Sequence, residues 1–380
     1  MGTSVKLKGA RVLFLCSTDN MIWQFLIPHI KDLQQFGATV DCVCTRTGFW
    51  FDRLIKDHNF NMIEVPMCRL PWKMKNFRAY KTLVKLQKEN KYDMIFCQQP
   101  VGGMLGRFLG RKFNIPVVYT AHGFFFFKGN NVFRNILFKT AEKTMARWSN
   151  TVITMNDEDF EATQKFKCKH KFKINGIGLD LAKYQNEEFD AVKFKESLGV
   201  KENEKIILSV SEFIKRKNYT TMIKSFARLA GKCDNVQYVI CGTGEKFEEI
   251  KKLTIDLGVE NRIKFLGYRT DINKIMQVSD VFYHQSFHEG LTMSVIEAMH
   301  FGLPVVVSNV RGNKDLIDEI GGIITRSKDI EQQTEALQYL LSNESKRKDM
   351  GEYNKRKSQK YLINVVRQQL KDIYQQIGII

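Results

Sequence analysis

The sequence predicts an α/β protein built from two doubly wound parallel-sheet, Rossmann-like domains facing a cleft. Three observations carry this expectation. The chain has 380 residues, 43% of them hydrophobic, and a single core rarely grows past ~250 residues. Short β-branched or apolar runs alternate with stretches of helical spacing, which is the rhythm of a parallel sheet covered by helices on both faces. That rhythm pauses once, at Lys173-Ile-Asn-Gly-Ile-Gly-Leu-Asp180, and then resumes.

Before the pause, strands are expected at Arg11 to Cys16, Thr39 to Cys44, Asp93 to Cys97, Val117 to Thr120 and Thr151 to Met155. Each is apolar or β-branched and is followed by a helical pattern. The pause carries two glycines and turn-favouring residues, and a charged segment then runs to Lys205; it reads as an interdomain hinge. Beyond it, Ile206 to Val210, Val236 to Cys241, Ile263 to Leu266, Val281 to His284 and Val305 to Ser308 make a second sheet of similar size. Domains are therefore expected at residues 1–175 and 176–360, with a C-terminal helix at 361–380 packing back on the first. Ligands of open α/β sheets bind beyond the carboxyl ends of the strands.

Composition excludes several classes. No apolar run reaches the ~18 to 20 residues of a membrane span, and Met1 to Arg11 carries charges where a secretion signal needs its apolar stretch, so a cytoplasmic protein is expected. Eight scattered cysteines, with Cys16, Cys42, Cys44, Cys97 and Cys241 inside strand-like runs, fit reduced core thiols. The net charge of +18 is uneven: residues 1–175 hold 28 Lys plus Arg against 13 Asp plus Glu. One domain is thus suited to a polyanionic partner. Its densest stretch, Arg69 to Lys91, interleaves Lys73, Lys75, Arg78, Lys81, Lys85 and Lys88 with Leu70, Trp72, Phe77, Tyr80, Leu83 and Leu86. A second, Phe124 to Trp148, opens on four phenylalanines and continues through Arg134, Lys139, Lys143 and Arg147. Both suit an anionic bilayer surface; an ordinary amphipathic helix with a solvated lysine face is the alternative. No nucleic-acid signature accompanies the charge, and nucleic acid is not expected as a partner.

The most informative stretch is Ser286-Phe-His-Glu-Gly-Leu-Thr-Met-Ser-Val-Ile-Glu-Ala-Met-His-Phe-Gly-Leu-Pro-Val-Val-Val. A strand ends near Gln285, a turn follows at Gly290, and a helix starts around Thr292, with Glu289 at its mouth and Glu297 inside it. Backbone N–H groups at Leu291 to Ser294 and the positive end of the helix dipole suit a diphosphate. Taken alone, the two glutamates also read as a helix-entry acid and a surface acid.

This segment resembles the signature of the family-4 retaining glycosyltransferases: Glu289-x7-Glu297, then Ala298-Met299 and Gly302-Leu303-Pro304-Val305-Val306. Tyr119-Thr-Ala-His-Gly-Phe-Phe-Phe-Phe-Lys-Gly129, Pro100-Val-Gly-Gly103, Ile174 to Gly178 and Arg311-Gly-Asn-Lys-Asp-Leu-Ile317 resemble capsule and exopolysaccharide members of that family. The resemblance covers most of the chain. It implies the GT-B fold, a nucleotide-sugar donor in the second domain and an acceptor in the first. Residue by residue, it implies that Glu297 holds ribose hydroxyls, Glu289 a donor-sugar hydroxyl, Lys217 the diphosphate and His122 the sugar from the first domain. Gly290, Leu291, Thr292 and Arg216 then belong to the donor site, as do Gly242 and Gly244 after one strand and Tyr268 and Arg269 after the next. The sequence departs from the family at Glu212, where an arginine is usual, and at Phe96-Cys-Gln-Gln-Pro100, where relatives carry two histidines. Thr18, Asn20, Gln98 and Phe124 are the acceptor-side candidates.

Asp157-Glu-Asp159 follows a strand and offers a metal-binding alternative, but Asn156 before it reads as a helix cap with first-turn acids. No metal and no cofactor are expected, the nucleotide sugar being a co-substrate. A hydride-transfer enzyme is disfavoured, since Cys16-Ser-Thr-Asp-Asn20 stands where a Gly-x-Gly-x-x-Gly would follow the first strand. The expected function is retaining transfer of a sugar from a nucleotide sugar, with UDP the expected nucleotide, to a lipid-diphosphate-linked saccharide at the inner face of the cell membrane. A non-catalytic polyanion- or membrane-binding protein on the same fold is the second reading.

Overall fold

The computed structural model describes residues 5–184 and 188–380. Residues 1–4 of the expected charged start, and 185–187 of the segment leading to Lys205, lie outside the described residues. The chain forms two compact units, Met1–Gly178 with Ile363–Ile380, and Leu179–Leu362.

The first unit holds a parallel sheet of seven strands: β1 (Arg11–Thr18), β2 (Thr39–Thr45), β3 (Asn61–Glu64), β4 (Met94–Gln98), β5 (Val117–Thr120), β6 (Thr151–Thr154) and β7 (His170–Lys173). Their order is β3-β2-β1-β4-β5-β6-β7. The second holds β8 (Lys205–Val210), β9 (Val236–Cys241), β10 (Ile263–Gly267), β11 (Val281–His284), β12 (Val305–Ser308) and β13 (Gly322–Thr325), in the order β10-β9-β8-β11-β12-β13. In both sheets the order reverses beside the first strand, between β1 and β4 and between β8 and β11. Crevices for ligands open at such switch points. The central strands read as continuous apolar runs because helices bury both faces; Val305, Val306 and Val307 are wholly buried, for example.

Three strands escaped the sequence reading, and all lie at sheet edges. Asn61–Glu64 and His170–Lys173 are polar and only partly buried, so pairing with one neighbour, not apolar pattern, makes them strands. Gly322–Thr325 pairs with β12 at the edge of the second sheet. The expected hinge is corrected at its start: Lys173 belongs to β7, and the Ile174 N–H continues to the Thr154 carbonyl at 3.0 Å. The chain leaves the first unit at Gly178. Its φ of +97° and the 2.8 Å that separate a Cβ there from the Ile363 Cα leave room for glycine alone. The helix Ile363–Gln376 belongs to the first unit, where Arg367 forms a bidentate pair with Asp32, one contact at 2.8 Å, and Tyr374 packs edge-on against Phe96.

All eight cysteines are free thiols. Burial raises Cys16, Cys97 and Cys241 to about 12, which leaves them as unreactive core residues. Among the described residues no helix is long and apolar enough to cross a membrane.

Candidate active site

The site of the second unit forms beyond β8 and β11, neighbours at the switch point. After β8, Phe213 is buried against Tyr219 and its N–H donates to the Thr243 carbonyl at 2.9 Å. This anchor sets the single 3-10 turn Lys215–Lys217, and Asn218 then turns the chain, at φ +54°, into the helix Tyr219–Ala230. After β11, the Ser286 N–H donates to Ser308 Oγ at 3.0 Å and the Phe287 N–H to the Arg216 carbonyl at 2.9 Å. The two loops are thereby tied, which carries Glu289 onto Lys217.

Glu289 is 6% exposed. Its Oε1 accepts from Lys217 Nζ at 2.7 Å and Ser286 Oγ at 2.5 Å and lies 3.1 Å from His284 Nε2, while Oε2 accepts from Arg216 at 2.5 Å. Burial alone would raise this carboxyl; the Lys217 and Arg216 charges override it and hold Glu289 well below the usual carboxylate range. Two cations against one carboxylate leave the cluster with a net positive charge. Arg311 Nε donates to the Glu289 carbonyl at 2.8 Å, and Gly312 presses so close to Gly290 that a Cβ would sit 2.5 Å from its carbonyl oxygen. The loop is fixed from both sides.

The helix Met293–His300 begins next to this cluster. Thr292, at its N-cap, donates its hydroxyl to Asn313 Oδ1 at 2.8 Å and makes no capping bond. The first-turn N–H groups thus have no side-chain cap from Thr292, an arrangement that suits an anion. Glu297, one turn on, is half-buried and accepts from the Tyr184 hydroxyl at 2.6 Å; burial raises its pKa against that bond. Gly242 and Gly244 lie against the loop after β8, where a Cβ on Gly242 would meet the Ser211 carbonyl oxygen at 1.9 Å. Tyr268 is exposed, and Arg269 is paired with Asp271 at 2.5 Å. Glu212 is exposed beside Lys217 and adds negative charge to its surroundings.

In the first unit, His122 follows β5 and its Nε2 lies 2.8 Å from Gln98 Oε1 at the end of β4. Burial, with His29 nearby, lowers its pKa to about 3. The ring is neutral: Nε2–H donates to Gln98, and Nδ1, which has no partner among the described residues, is an acceptor. Thr18 accepts from the Met21 N–H at 3.4 Å, and Asn20 is exposed. Their loop is held by Asp19, which sequence reasoning passed over: it is fully buried and its Oδ1 accepts from the N–H groups of Asn20 at 2.8 Å and Thr47 at 3.0 Å. Phe124 is a correction. Its ring stacks in the core on Phe126, with centroids 5.0 Å apart, and is only 2% exposed, so it offers no surface to an acceptor. Asp157, Glu158 and Asp159 act as helix-entry acids with separate partners: Asp157 pairs with Lys173, Glu158 accepts from the Lys128 N–H, and Asp159 accepts from the Phe124 N–H.

Sequence reasoning also missed His284, Ser286, Arg311, Asn313 and Tyr184 as site residues. The first four stand within or near recognised motifs, but only folding shows which of their side chains turn to Glu289 and Thr292. Tyr184 gives no local signal at all, because its partner Glu297 lies in a distant segment.

His284 supplies a pH test. It is 1% exposed, and burial with Lys217 beside it lowers its pKa from 6.5 to about 4. The unfolded chain then takes up the proton first. Its contribution to stability is full above pH 6.5 and is lost as pH falls toward 4, by about 1.4 kcal/mol per pH unit. Chemical denaturation at several pH values should show a smaller loss for His284→Gln than for the unaltered protein; equal slopes contradict this assignment.

The family model described as "Glycosyl transferases group 1" matches residues 190–357, and "Glycosyl transferase 4-like" matches residues 11–156. The chain is 30% identical over 306 residues, 78% of its length and 79% of the relative's, to an Escherichia coli protein named UDP-Gal:alpha-D-GlcNAc-diphosphoundecaprenol alpha-1,3-galactosyltransferase. It is 28% identical over 314 residues, 81% of each chain, to the putative glycosyltransferase EpsD of Bacillus subtilis. Among solved structures, Anabaena HepE in complex with UDP and glucose superposes with a TM-score of 0.81 at 20% identity, covering 97% of this chain and 100% of that one. With two parallel-sheet units, the Glu289-x7-Glu297 segment in place and relatives along most of its length, the chain belongs to the family-4 glycosyltransferases of the GT-B fold.

Proposed function

We propose that the protein transfers a sugar from a UDP-sugar, with retention of configuration and without a metal ion, to a hydroxyl of a lipid-diphosphate-linked saccharide in capsule or exopolysaccharide synthesis. The observation that carries this reading is the buried Lys217–Glu289–Arg216 cluster beside the start of the Met293–His300 helix. Cations and backbone N–H groups converge there, as a departing diphosphate requires. The E. coli relative's named donor and diphosphoundecaprenol acceptor, and the UDP in the Anabaena complex, support the choice of substrates.

Lys217 and the helix N-terminus take up the charge that grows on the diphosphate as the glycosidic bond breaks. Glu289 orients a hydroxyl of the donor sugar and, through its ion pairs, fixes Lys217 and Arg216 in place. Glu297 holds the ribose, with Tyr184 setting its carboxylate. From the first unit, neutral His122 offers Nδ1 to a sugar hydroxyl, and Gln98 fixes its tautomer. The acceptor oxygen attacks the anomeric carbon on the face from which the diphosphate departs, and a phosphate oxygen takes the acceptor's proton. Positioning and exclusion of water supply the rest of the rate.

The exposed basic and apolar residues of the helices Met74–Asn90 and Val132–Met145 support a peripheral position on an anionic membrane at its cytoplasmic face.

A thermal-shift screen of nucleotide sugars, with and without chelator, tests the donor site. A ligand that binds only the folded state raises the melting temperature, so one UDP-sugar should stabilise the protein equally in both conditions. Glu297→Ala should weaken that donor's binding at least ~10-fold, the scale of one hydrogen bond to a charged group. Unchanged donor affinity contradicts the ribose assignment.

A further inference from the structure

Apart from Phe49 and Ile55, the large exposed apolar side chains of the first unit fall on three helices and the turn before the first of them. Trp72, Met74 and Phe77 at the start of the Met74–Asn90 helix are exposed, as is Phe108 on the helix Pro100–Phe113, together with Phe133, Ile136 and Leu137 on Val132–Met145. Trp72 stacks on Phe138 with ring centroids 6.4 Å apart, which joins the two sets. Between the first two helices lies a groove of about 570 Å³ lined by Trp72, Met74, Phe77, Met104, Leu105 and Phe108, with Lys73 its one charged lining residue. That volume falls within the usual range for small-molecule sites, about 300–1,000 Å³, and clustered exposed apolar side chains of this kind mark a binding surface.

Charge selects the occupant. From Arg69 to Lys88 the sequence contains no acid, and Lys73, Lys75, Arg78 and Lys81 are all exposed. On the Val132–Met145 helix the single acid, Glu142, is buried in its pair with Arg107 at 2.7 Å. An apolar trough rimmed by cations alone complements an amphiphile with an anionic head. Its position fits as well. The helix Pro100–Phe113 starts where β4 ends, so Met104 and Leu105 in its early turns lie toward the same end of the sheet as Gln98 and His122.

We propose that this groove holds the hydrocarbon chain of the lipid-diphosphate acceptor, with the diphosphate over Lys73 and the neighbouring cations. The proposal rests on the lipid-linked acceptor assigned above and gives that acceptor its own chain-binding site, separate from contact with the bilayer. The test uses the full chain without membranes, with UDP saturating the donor site and calorimetry as the readout. Farnesyl diphosphate and inorganic diphosphate are the probes. Farnesyl diphosphate should bind at least ~10-fold more tightly, since burial of two or three methylenes suffices for that ratio. The double variant Met74→Ser/Phe77→Ser, both positions being exposed, should abolish the preference while keeping its melting temperature. Phe133→Ser/Ile136→Ser, on the neighbouring helix but outside the groove, should preserve it. Equal affinities for the two probes, an unchanged preference in the groove variant, or equal losses in both variants overturn the proposal. So does displacement of farnesyl diphosphate by dihexanoyl phosphatidylglycerol at equal potency, which assigns the groove to bilayer lipid. Sugar transfer is not measured here, so a negative result leaves the transferase reading intact, and UDP release tests that reading separately.

Discussion

Replacement of Lys217 by alanine is expected to lower turnover at least ~100-fold, the scale on which loss of one preorganised electrostatic contact slows catalysis. Lys217 is 9% exposed and its Nζ is 2.7 Å from Glu289. Its loop is held by the Phe213 N–H on Thr243 and by the Phe287 N–H on the Arg216 carbonyl, so the backbone that carries the ammonium is fixed in advance. Arg216 remains in the variant but is committed to Glu289 and the His288 carbonyl, and Glu212 adds negative charge. Steady-state kinetics on a variant with an unchanged melting temperature checks this. Near-normal turnover removes Lys217 from the site.

Glu289→Ala carries the second large effect, and it has two parts. Turnover should again fall at least ~100-fold, because the carboxylate both orients the donor sugar and fixes Lys217 and Arg216. Stability should fall as well, by on the order of 3 kcal/mol, the cost of leaving buried cations without their counter-charge. Glu289→Gln tests the charge itself. The amide keeps shape and an acceptor for Ser286 but leaves Lys217 and Arg216 without their counter-charge, so turnover and melting temperature should both fall. Recovery of both assigns Glu289 to packing.

How far the sequence revealed this arrangement differs by element. The central strands were legible because burial on both faces demands unbroken apolar runs, and Val236–Cys241, Val281–His284 and Val305–Ser308 coincide with the expected bounds. The polar edge strands β3 and β7 were not, since one-sided pairing tolerates polar residues and leaves no periodic mark, and β13 was missed as a four-residue run, whereas the edge strand β10, with Ile263, Phe265 and Leu266, was legible. At the site, spacing and turn chemistry placed Glu289 and Glu297 around a helix start. That Glu289 would be enclosed by Lys217, Arg216, Ser286 and His284 depends on two loops far apart in sequence meeting at the switch point. Phe124 failed for a related reason. Four consecutive phenylalanines do not say which rings turn inward, and here Phe124 and Phe126 fill the core. Tyr184 and Asp19 act through contacts that local patterns cannot encode.

The central claim is that the Lys217–Glu289–Arg216 cluster serves sugar transfer. Its most direct test is UDP release by the full chain, incubated with a panel of UDP-sugars in the presence and absence of a lipid-diphosphate-linked saccharide. One UDP-sugar should yield UDP at a rate that depends on the acceptor and collapses in Lys217→Ala. No acceptor-dependent release from any donor contradicts the account and favours a binding protein that keeps the transferase fold.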